Sequence, residues 1–302
     1  MSDIKLFRIN HDKVTELQST SAKIEKSLQG QIESNLDIYL GVNFLATEYS
    51  TGSNHGGRID TLGIDENGSP VIIEYKRAMN ENVINQGLFY LDWLMDHKAE
   101  FELLVLKNIG KEQSENIEWN SPRLLCIAGD FTKFDEHAVK QMNRNIELIR
   151  YRNFGDDLLL LELVNVAEAQ NGDTTASSTS KKQEYKTVSE YLEAANQELT
   201  NLYHSLRDYM MSLGDDVQEK TLKYYIAYKR IKNFACVEVH PQSGKLLVFV
   251  KVNPDDIDLV EGYTRNVREV GHYGTGDLEI TVRNQEDLEK AEPLILKSYE
   301  IS

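Results

Sequence analysis

Two carboxylates and an ammonium group occur close together in residues 57–77, GRIDTLGIDENGSPVIIEYKR. Asp60 falls in the first of two apolar runs, and Glu74 and Lys76 lie two residues apart in the second. Successive side chains of a strand point to opposite faces, so Glu74 and Lys76 share a face. Carboxylates from adjacent strands can share one Mg²⁺, with the backbone carbonyl of Tyr75 as a further oxygen ligand. The segment therefore predicts a divalent-metal site.

The chemistry that suits such a site is hydrolysis of a phosphodiester. A bound divalent ion lowers the pKa of a water molecule and neutralises charge that develops on the phosphate. Lys76 can orient the attacking water or stabilise that charge. The alternative is an ordinary Glu-Lys pair on a surface hairpin, which needs no ligand.

The elements that would position these residues are two strands and a turn between them. Asp65-Glu66-Asn67-Gly68 contains Asn-Gly, the strongest short signal for a hairpin. The second strand, 71–75, is apolar apart from its acid, as expected for a central strand covered on both faces. Further strands and helices alternate up to residue 166, which predicts an α/β fold, a mixed sheet flanked by helices.

Two helices should flank the hairpin. Apolar residues recur at every fourth position from 24 to 40, which predicts one helix over 19–41, with Glu33 at the border of its apolar stripe. After Arg77 a second periodic run includes Tyr90 on its apolar face and Gln86 beside it. Glu33 is interpreted either as a ligand of a metal or water, or as a solvated helix residue. Gln86 and Tyr90 are interpreted either as site residues or as packing positions.

The chain should contain two domains. Residues 168–186 include EAQNGDTTASSTSKK, which has almost nothing to bury and predicts a flexible linker. This divides a domain over 1–167 from a separate small α+β domain over 187–302. A long helix over 189–213 is expected to open the second domain.

Composition limits the functional classes. The 302 residues carry 33 Lys and Arg against 49 Asp and Glu, a formal net charge of -16, which disfavours binding of a phosphate backbone by the overall field. Binding of nucleic acid would need a local cleft and a metal. The N-terminus is too polar for a signal peptide, no apolar run could cross a bilayer, and the two cysteines lie far apart. We expect a cytoplasmic, reduced protein with no membrane association.

The sequence Ile59-Asp60 followed by Glu74-Tyr75-Lys76 resembles the PD-(D/E)xK nuclease superfamily, in particular its RecB-type and mismatch-endonuclease-like branch. Gln86 followed four residues later by Tyr90 adds to the resemblance, which covers roughly 19–166; Ile59 stands where the superfamily name has Pro.

The resemblance implies a restriction-endonuclease-like sheet and a Mg²⁺ (or Mn²⁺) dependent deoxyribonuclease. Its site residues would be Glu33, Asp60, Glu74, Lys76 and Gln86, with metal at Asp60, Glu74 and Tyr75. Arg58 and Arg77 bracket the site and could contact the substrate or merely pair with Asp60 and Glu74, and Tyr90 is a further candidate for substrate contact. It also implies DNA as partner and, by analogy, a homodimer. The alternative is a catalytically silent nuclease fold that binds nucleic acid or protein.

The second half resembles an uncharacterised domain family, found beside nuclease-like modules and in proteins labelled as predicted transport proteins. No chemistry comes with that resemblance. Two stretches could contact a ligand: residues 223–234 mix Lys and Arg with aromatic residues, and 265–276 combine Arg268, His272 and Tyr273 with three glycines. Each is equally well explained as core edge or connecting loop.

Overall fold

The structure is a computed structural model that describes residues 4–20, 25–76, 83–155, 157–167 and 187–302. The described residues fall into two compact units, one within 1–174 and the other within 175–302. The predicted linker and Arg77 lie outside the described residues. Each unit is built around its own β-sheet.

The N-terminal unit contains nine strands and seven helices among its described residues. The strands are β1 (Leu6–Asn10), β2 (Lys13–Leu17), β3 (Ser19–Thr20), β4 (Val42–Ser50), β5 (Arg58–Asp65), β6 (Pro70–Lys76), β7 (Arg123–Ala128), β8 (Asn145–Phe154) and β9 (Leu158–Ala167). The helices are α1 (Glu25–Glu33), α2 (Leu36–Leu40), α3 (Gly52–His55), α4 (Val83–Asp96), α5 (Lys98–Asn108), α6 (Lys111–Glu115) and α7 (Lys133–Lys140).

The main sheet is mixed, which confirms the predicted α/β fold with helices on a mixed sheet. β4, β5 and β6 pair antiparallel, and β6, β7 and β8 pair parallel. β9 pairs antiparallel with β8, and the short β3 pairs with the far end of β8. The central strand β6 is buried from Pro70 to Tyr75, as its apolar sequence predicted.

α1 and α4 cover opposite faces of this sheet. Ile72 of β6 belongs to the same buried apolar cluster as Leu91 and Leu94 of α4. Thr61, which pairs with Ile73, is hydrogen-bonded to Glu33 of α1. Because neighbouring residues of a strand point to opposite faces, α4 covers the Ile72 face and α1 the Ile73 face.

The single helix predicted over 19–41 is wrong. Its place is taken by β3 and, after residues outside the described ranges, by α1 and α2, with a break at Ser34 and Asn35. The Ser34 hydroxyl donates to the Gly30 carbonyl at 2.7 Å, and Asn35 has a non-helical φ of -146°. Such local side-chain bonds compete with helix propagation. Leu28, Ile32, Leu36 and Leu40 are nevertheless buried, so the periodicity identified the correct face over the described residues.

A buried charge network joins three strands at the end of the sheet away from Glu74. Arg123 at the start of β7 donates to Asp65 at 2.9 Å and to both oxygens of Glu147 at 2.7 and 2.8 Å. All three side chains are at most 4% exposed. Burial lowers the pKa of the Arg123 guanidinium, but the two carboxylates outweigh it and raise the pKa overall, so the charge is kept.

The C-terminal unit is an α+β domain. Its strands are β10 (Gln218–Thr221), β11 (Ile226–Lys229), β12 (Asn233–His240), β13 (Lys245–Val250), β14 (Thr264–Asn266) and β15 (Leu278–Val282), and its helices are α8 (Val188–Glu193), α9 (Gln197–Ser212) and α10 (Gln285–Ile301). The strands form an antiparallel sheet in the order β10-β11-β12-β13-β15-β14. The helices pack with one face of this sheet in a large apolar cluster, and a smaller cluster occupies the other face.

The long helix predicted over 189–213 is also wrong, because α8 and α9 are separate. Thr187 forms a capping box with Glu190 at the start of α8. The Asn196 side chain accepts a hydrogen bond from the Leu199 backbone N–H at 2.8 Å and so begins α9. Asparagine offers this local bond at a helix start, which the apolar periodicity alone did not reveal.

Replacing Arg123 by Met should destabilise the N-terminal unit by about 3–5 kcal/mol, because Asp65 and Glu147 would remain buried without the guanidinium. Both tryptophans of the sequence, Trp93 and Trp119, lie in this unit, so urea unfolding followed by tryptophan fluorescence reports on it selectively.

The matched control is Arg144→Met. Arg144 pairs with Asp92 at 3.9 Å, and both side chains are more than half exposed. Its loss should cost less than about 1 kcal/mol. Equal effects of the two substitutions would contradict the structural role of the buried network.

Candidate active site

Asp60 and Glu74 meet where β5 and β6 stop pairing. The last ladder pair is Thr61 with Ile73. One residue further, the Asp60 backbone N–H donates to Glu74 Oε1 at 3.1 Å, and the Tyr75 backbone N–H donates to Asp60 Oδ2 at 3.0 Å. In a continued ladder, each of these N–H groups would donate to a backbone carbonyl of the other strand. Here a carboxylate of the other strand accepts the hydrogen bond instead. The two side chains therefore lie side by side between the ends of the strands.

The Tyr75 backbone reaches the same gap, since its N–H donates to Asp60. The N–H and C=O of one strand residue point toward the same neighbouring strand, so the Tyr75 carbonyl is expected on that side as well. The Tyr75 side chain lies on the opposite face, where its hydroxyl is 3.4 Å from Thr61 Oγ1. Burial raises the pKa of this hydroxyl well above its ordinary value, and the charges of Glu33, Asp60 and Glu74 raise it further against the lowering effect of Thr61. Tyr75 therefore stays neutral.

The Glu74 side chain is buried, whereas the Asp60 side chain reaches the protein surface. Glu74 is fully buried and pairs with Cys126 of β7 in the parallel ladder. Burial raises the pKa of the Cys126 thiol, and the nearby Glu74 carboxylate adds to the rise, so this neighbour stays uncharged. Asp60 is half-buried and lines an open cleft of about 840 Å³.

The cleft also contains three other residues expected at the site. Arg58, Gln86 and Tyr90 line it together with Glu48, Ser50, Gly52, Ser53, Gly56 and Gly57. Arg58 Nε pairs with Glu48 Oε2 at 2.9 Å, and 66% of its side chain is exposed. Lys76 is half-buried at the end of β6, on the Glu74 face by strand alternation. Arg77 lies outside the described residues.

Tyr90 fixes the backbone that leads into β5. Its hydroxyl accepts hydrogen bonds from the Arg58 backbone N–H and from Gln86 Nε2, both at 3.1 Å. Its ring also lies against Gly57, where an added Cβ would be 2.5 Å from Tyr90 Cε1. Gln86 and Tyr90 thus hold the segment two residues before Asp60, and Tyr90 is only 5% exposed.

Glu33 is connected to the site from the other face of the sheet. Its Oε1 accepts hydrogen bonds from Thr61 Oγ1 at 2.6 Å and from Gln29 Nε2 at 3.0 Å. Gln29 Nε2 also lies 2.8 Å from the Asp60 carbonyl oxygen. The sequence interpretation missed Gln29 and Thr61. Gln29 stands four residues before Glu33, the spacing that places two side chains on one helix face, so it could have been found.

The donor set suits a hard cation with few protein ligands. Two carboxylates and one carbonyl are all oxygen, and Mg²⁺ binds through one or two carboxylates while it keeps several waters. Across the ranges that the structure describes, no three His, Cys, Asp or Glu side chains group as ligands of one metal ion. A metal would therefore rest on Asp60, Glu74 and backbone oxygen.

Comparison with known proteins gives one domain match and one match over the full chain. Residues 188–302 match the family described as Domain of unknown function (DUF5655). The chain is 28% identical over 304 residues to an uncharacterized protein of Haemophilus influenzae, a match that covers 97% of this chain and 98% of that protein. The family match agrees with the expectation of an uncharacterised domain in the second half.

Two solved structures also show similarity. A repair endonuclease from Pyrococcus abyssi matches with 18% identity and a TM-score of 0.29, over 43% of this chain and 48% of that one. The structure of an EndoMS-dsDNA2 complex matches with 17% identity and a TM-score of 0.24, over 47% and 49%. The chain spans about half the length of each. Among the described residues, moreover, no helix is long and apolar enough to cross a membrane.

Replacing Tyr90 by Phe should destabilise the N-terminal unit by about 1 kcal/mol, because the Arg58 N–H and the Gln86 amide lose their shared acceptor. Urea unfolding followed by tryptophan fluorescence measures this. Tyr39→Phe is the control, since the Tyr39 hydroxyl accepts only an exposed bond from Gln31 at 3.3 Å and its loss should change stability by less than about 0.5 kcal/mol. Unchanged stability of Tyr90→Phe would favour a role in substrate contact alone.

Proposed function

We propose that the N-terminal unit is a divalent-metal-dependent nuclease that hydrolyses phosphodiester bonds in DNA. The observation that carries this proposal is the placement of Asp60 and Glu74 between the ends of β5 and β6, beside an open cleft. A core strand rarely ends in a buried acid that faces a second acid. The arrangement puts two negative charges where a cation would stabilise them.

The charge of the cleft supports metal dependence. Glu48 and Asp60 line it, Glu74 lies directly behind Asp60, and Arg58 is already paired with Glu48. Such a surface repels a phosphate group on its own. When bound, Mg²⁺ or Mn²⁺ would attract the phosphate and lower the pKa of a water molecule.

The residues of the chain have separate roles in this proposal. Asp60 and Glu74 hold the metal together with the Tyr75 carbonyl. Lys76, on the Glu74 face, orients the attacking water and stabilises negative charge on the phosphate. Gln86 and Tyr90 position the backbone before Asp60. Glu33 supports Thr61 and, through Gln29, the Asp60 backbone.

The substrate contacts and the oligomeric state are part of the same proposal. Arg58, with 66% of its side chain exposed, would exchange its partner Glu48 for a DNA phosphate. Arg77 would contact the substrate as well. A homodimer would suit cleavage of both strands of a duplex. Sedimentation measures the oligomeric state directly.

A second candidate is a silent nuclease fold that binds a partner without cleaving it. The observation that favours it is the use of both carboxylates as hydrogen-bond acceptors of the backbone, which alone gives them a structural function. In that case the acids would be needed for stability and the metal would be irrelevant.

Cleavage of labelled single-stranded, duplex and branched DNA in Mg²⁺ or Mn²⁺ tests the proposal. Asp60→Asn and Glu74→Gln keep an oxygen that can accept the backbone hydrogen bond but remove the charge. Each should lower the cleavage rate by on the order of 10²-fold or more, and Lys76→Ala similarly, while the fold is retained.

The matched control is Asp92→Asn on α4, an acid with 73% of its side chain exposed, which should cleave like the wild type. Wild-type cleavage that is indifferent to EDTA, or equal rates in Asp60→Asn, would refute the proposal. Absence of cleavage together with metal-independent binding of DNA that cross-links to the N-terminal unit would establish the second candidate.

A further inference from the structure

The loop 267–277 between β14 and β15 is attached to the sheet face of the C-terminal unit that the helices leave uncovered. Its ends are joined by a hydrogen bond from the Val267 N–H to the Asp277 carbonyl at 2.9 Å. At its centre, the Thr275 N–H lies 3.4 Å from Cys236 Sγ. Gly274 approaches so closely that an added Cβ would be 2.6 Å from the same sulfur. These contacts hold the loop against the sheet.

Two rings of the loop stack on two rings of residues outside the loop. His272 stacks on Phe249 of β13, with ring centroids 4.3 Å apart and planes 4° from parallel. Tyr273 stacks on Tyr224, just before β11, at 4.6 Å and 27°. Tyr273 remains 48% exposed although it is held in place from below. We call the outer surface of Tyr273 and His272 the ring surface.

Cations lie beside the ring surface. Lys223 Nζ is 4.9 Å from the centre of the Tyr224 ring, and the Lys223 side chain is exposed. Lys251, Arg268 and Asp277 line an open cleft of about 570 Å³ together with His272 and the glycines of the loop. Each ring of the ring surface thus has a lysine nearby, Lys223 beside the Tyr224 ring on which Tyr273 stacks and Lys251 in the cleft that His272 lines.

Three acids near the ring surface, Asp255, Asp277 and Glu238, are hydrogen-bonded to positive or donor groups. Arg268 donates to Asp255 at 2.8 Å and to Asp277 at 3.3 Å. Glu238 accepts from the Tyr273 N–H at 3.2 Å and lies 3.0 Å from His240 Nε2. These contacts reduce the local negative field that the acidic chain would otherwise impose.

We propose that the ring surface binds single-stranded nucleic acid. Bases would stack on Tyr273 and His272, and Lys223 and Lys251 would contact backbone phosphates, the combination that binds single strands with little sequence preference. A duplex hides its base faces and offers no ring to stack. The proposal concerns the C-terminal unit and does not rest on the nuclease activity of the other unit.

The test uses the full chain, EDTA to prevent cleavage, and a fluorescein-labelled oligothymidylate in an anisotropy titration. Tyr273→Ala should weaken binding by about 10-fold, because one stacked base is lost, whereas Tyr273→Phe should bind like the wild type. Lys223→Gln should lower the slope of log K against log salt by about 0.7, the loss of one phosphate contact. Lys297→Gln on α10, which packs on the other face of the sheet, is the matched control and should change neither quantity.

Cross-linking assigns the contact to this unit. Replacing thymine by 5-iodouracil should give photo-cross-links to peptides from 267–277. The proposal would be overturned if the wild type shows no saturable binding, if folded Tyr273→Ala binds as tightly as wild type, or if unlabelled duplex of equal length competes as well as the single strand. Because no step needs metal or cleavage, its failure and that of the proposed nuclease are separate results.

Discussion

The exchange of hydrogen bonds between Asp60 and the end of β6 is the interaction on which the candidate site depends. A β-ladder that continued past Thr61 and Ile73 would satisfy the backbone groups and leave the two acids on a packed face. Instead the strands separate, and each carboxylate accepts the N–H that the ladder would have used. The separation opens the sheet at one point, exposes part of Asp60 to the cleft, and keeps Glu74 buried behind it. Tyr90, Gln86 and Gln29 hold the surrounding backbone in this opened form.

Acidic side chains have different partners at the two ends of the main sheet. At the far end, Arg123 neutralises Asp65 and Glu147 inside the protein with three short hydrogen bonds, so that end is closed and structural. At the site, Asp60 and Glu74 lie side by side, and Asp60 lines the cleft together with the Arg58–Glu48 ion pair. The guanidinium of Arg123 is a fixed part of the fold at the far end. This contrast supports the proposal that a divalent cation binds between Asp60 and Glu74.

The sequence was sufficient to predict the mixed sheet, because strand signals are local. Asn67-Gly68 and the apolar run before Tyr75 identified β5, β6 and their turn, and Val83 to Leu94 identified α4. It was insufficient where one polar side chain decides a boundary: Ser34 ends α1, and Asn196 divides two helices predicted as one. It also could not show which face each helix covers. Glu33 was expected beside Asp60 and Glu74, but it reaches the site through Thr61. Gln29 was missed although it stands four residues before its partner Glu33.

The most direct measurement of the central claim is Mn²⁺ binding, followed by electron paramagnetic resonance in titrations of the wild type, Asp60→Asn and Asp92→Asn. Binding tests the site without requiring that the correct DNA substrate be known. The account predicts a saturable Mn²⁺ site in the wild type that Asp92→Asn retains and Asp60→Asn loses, with competition by Mg²⁺. Identical binding curves for the wild type and folded Asp60→Asn would contradict it, because the carboxylates between β5 and β6 would then hold no metal.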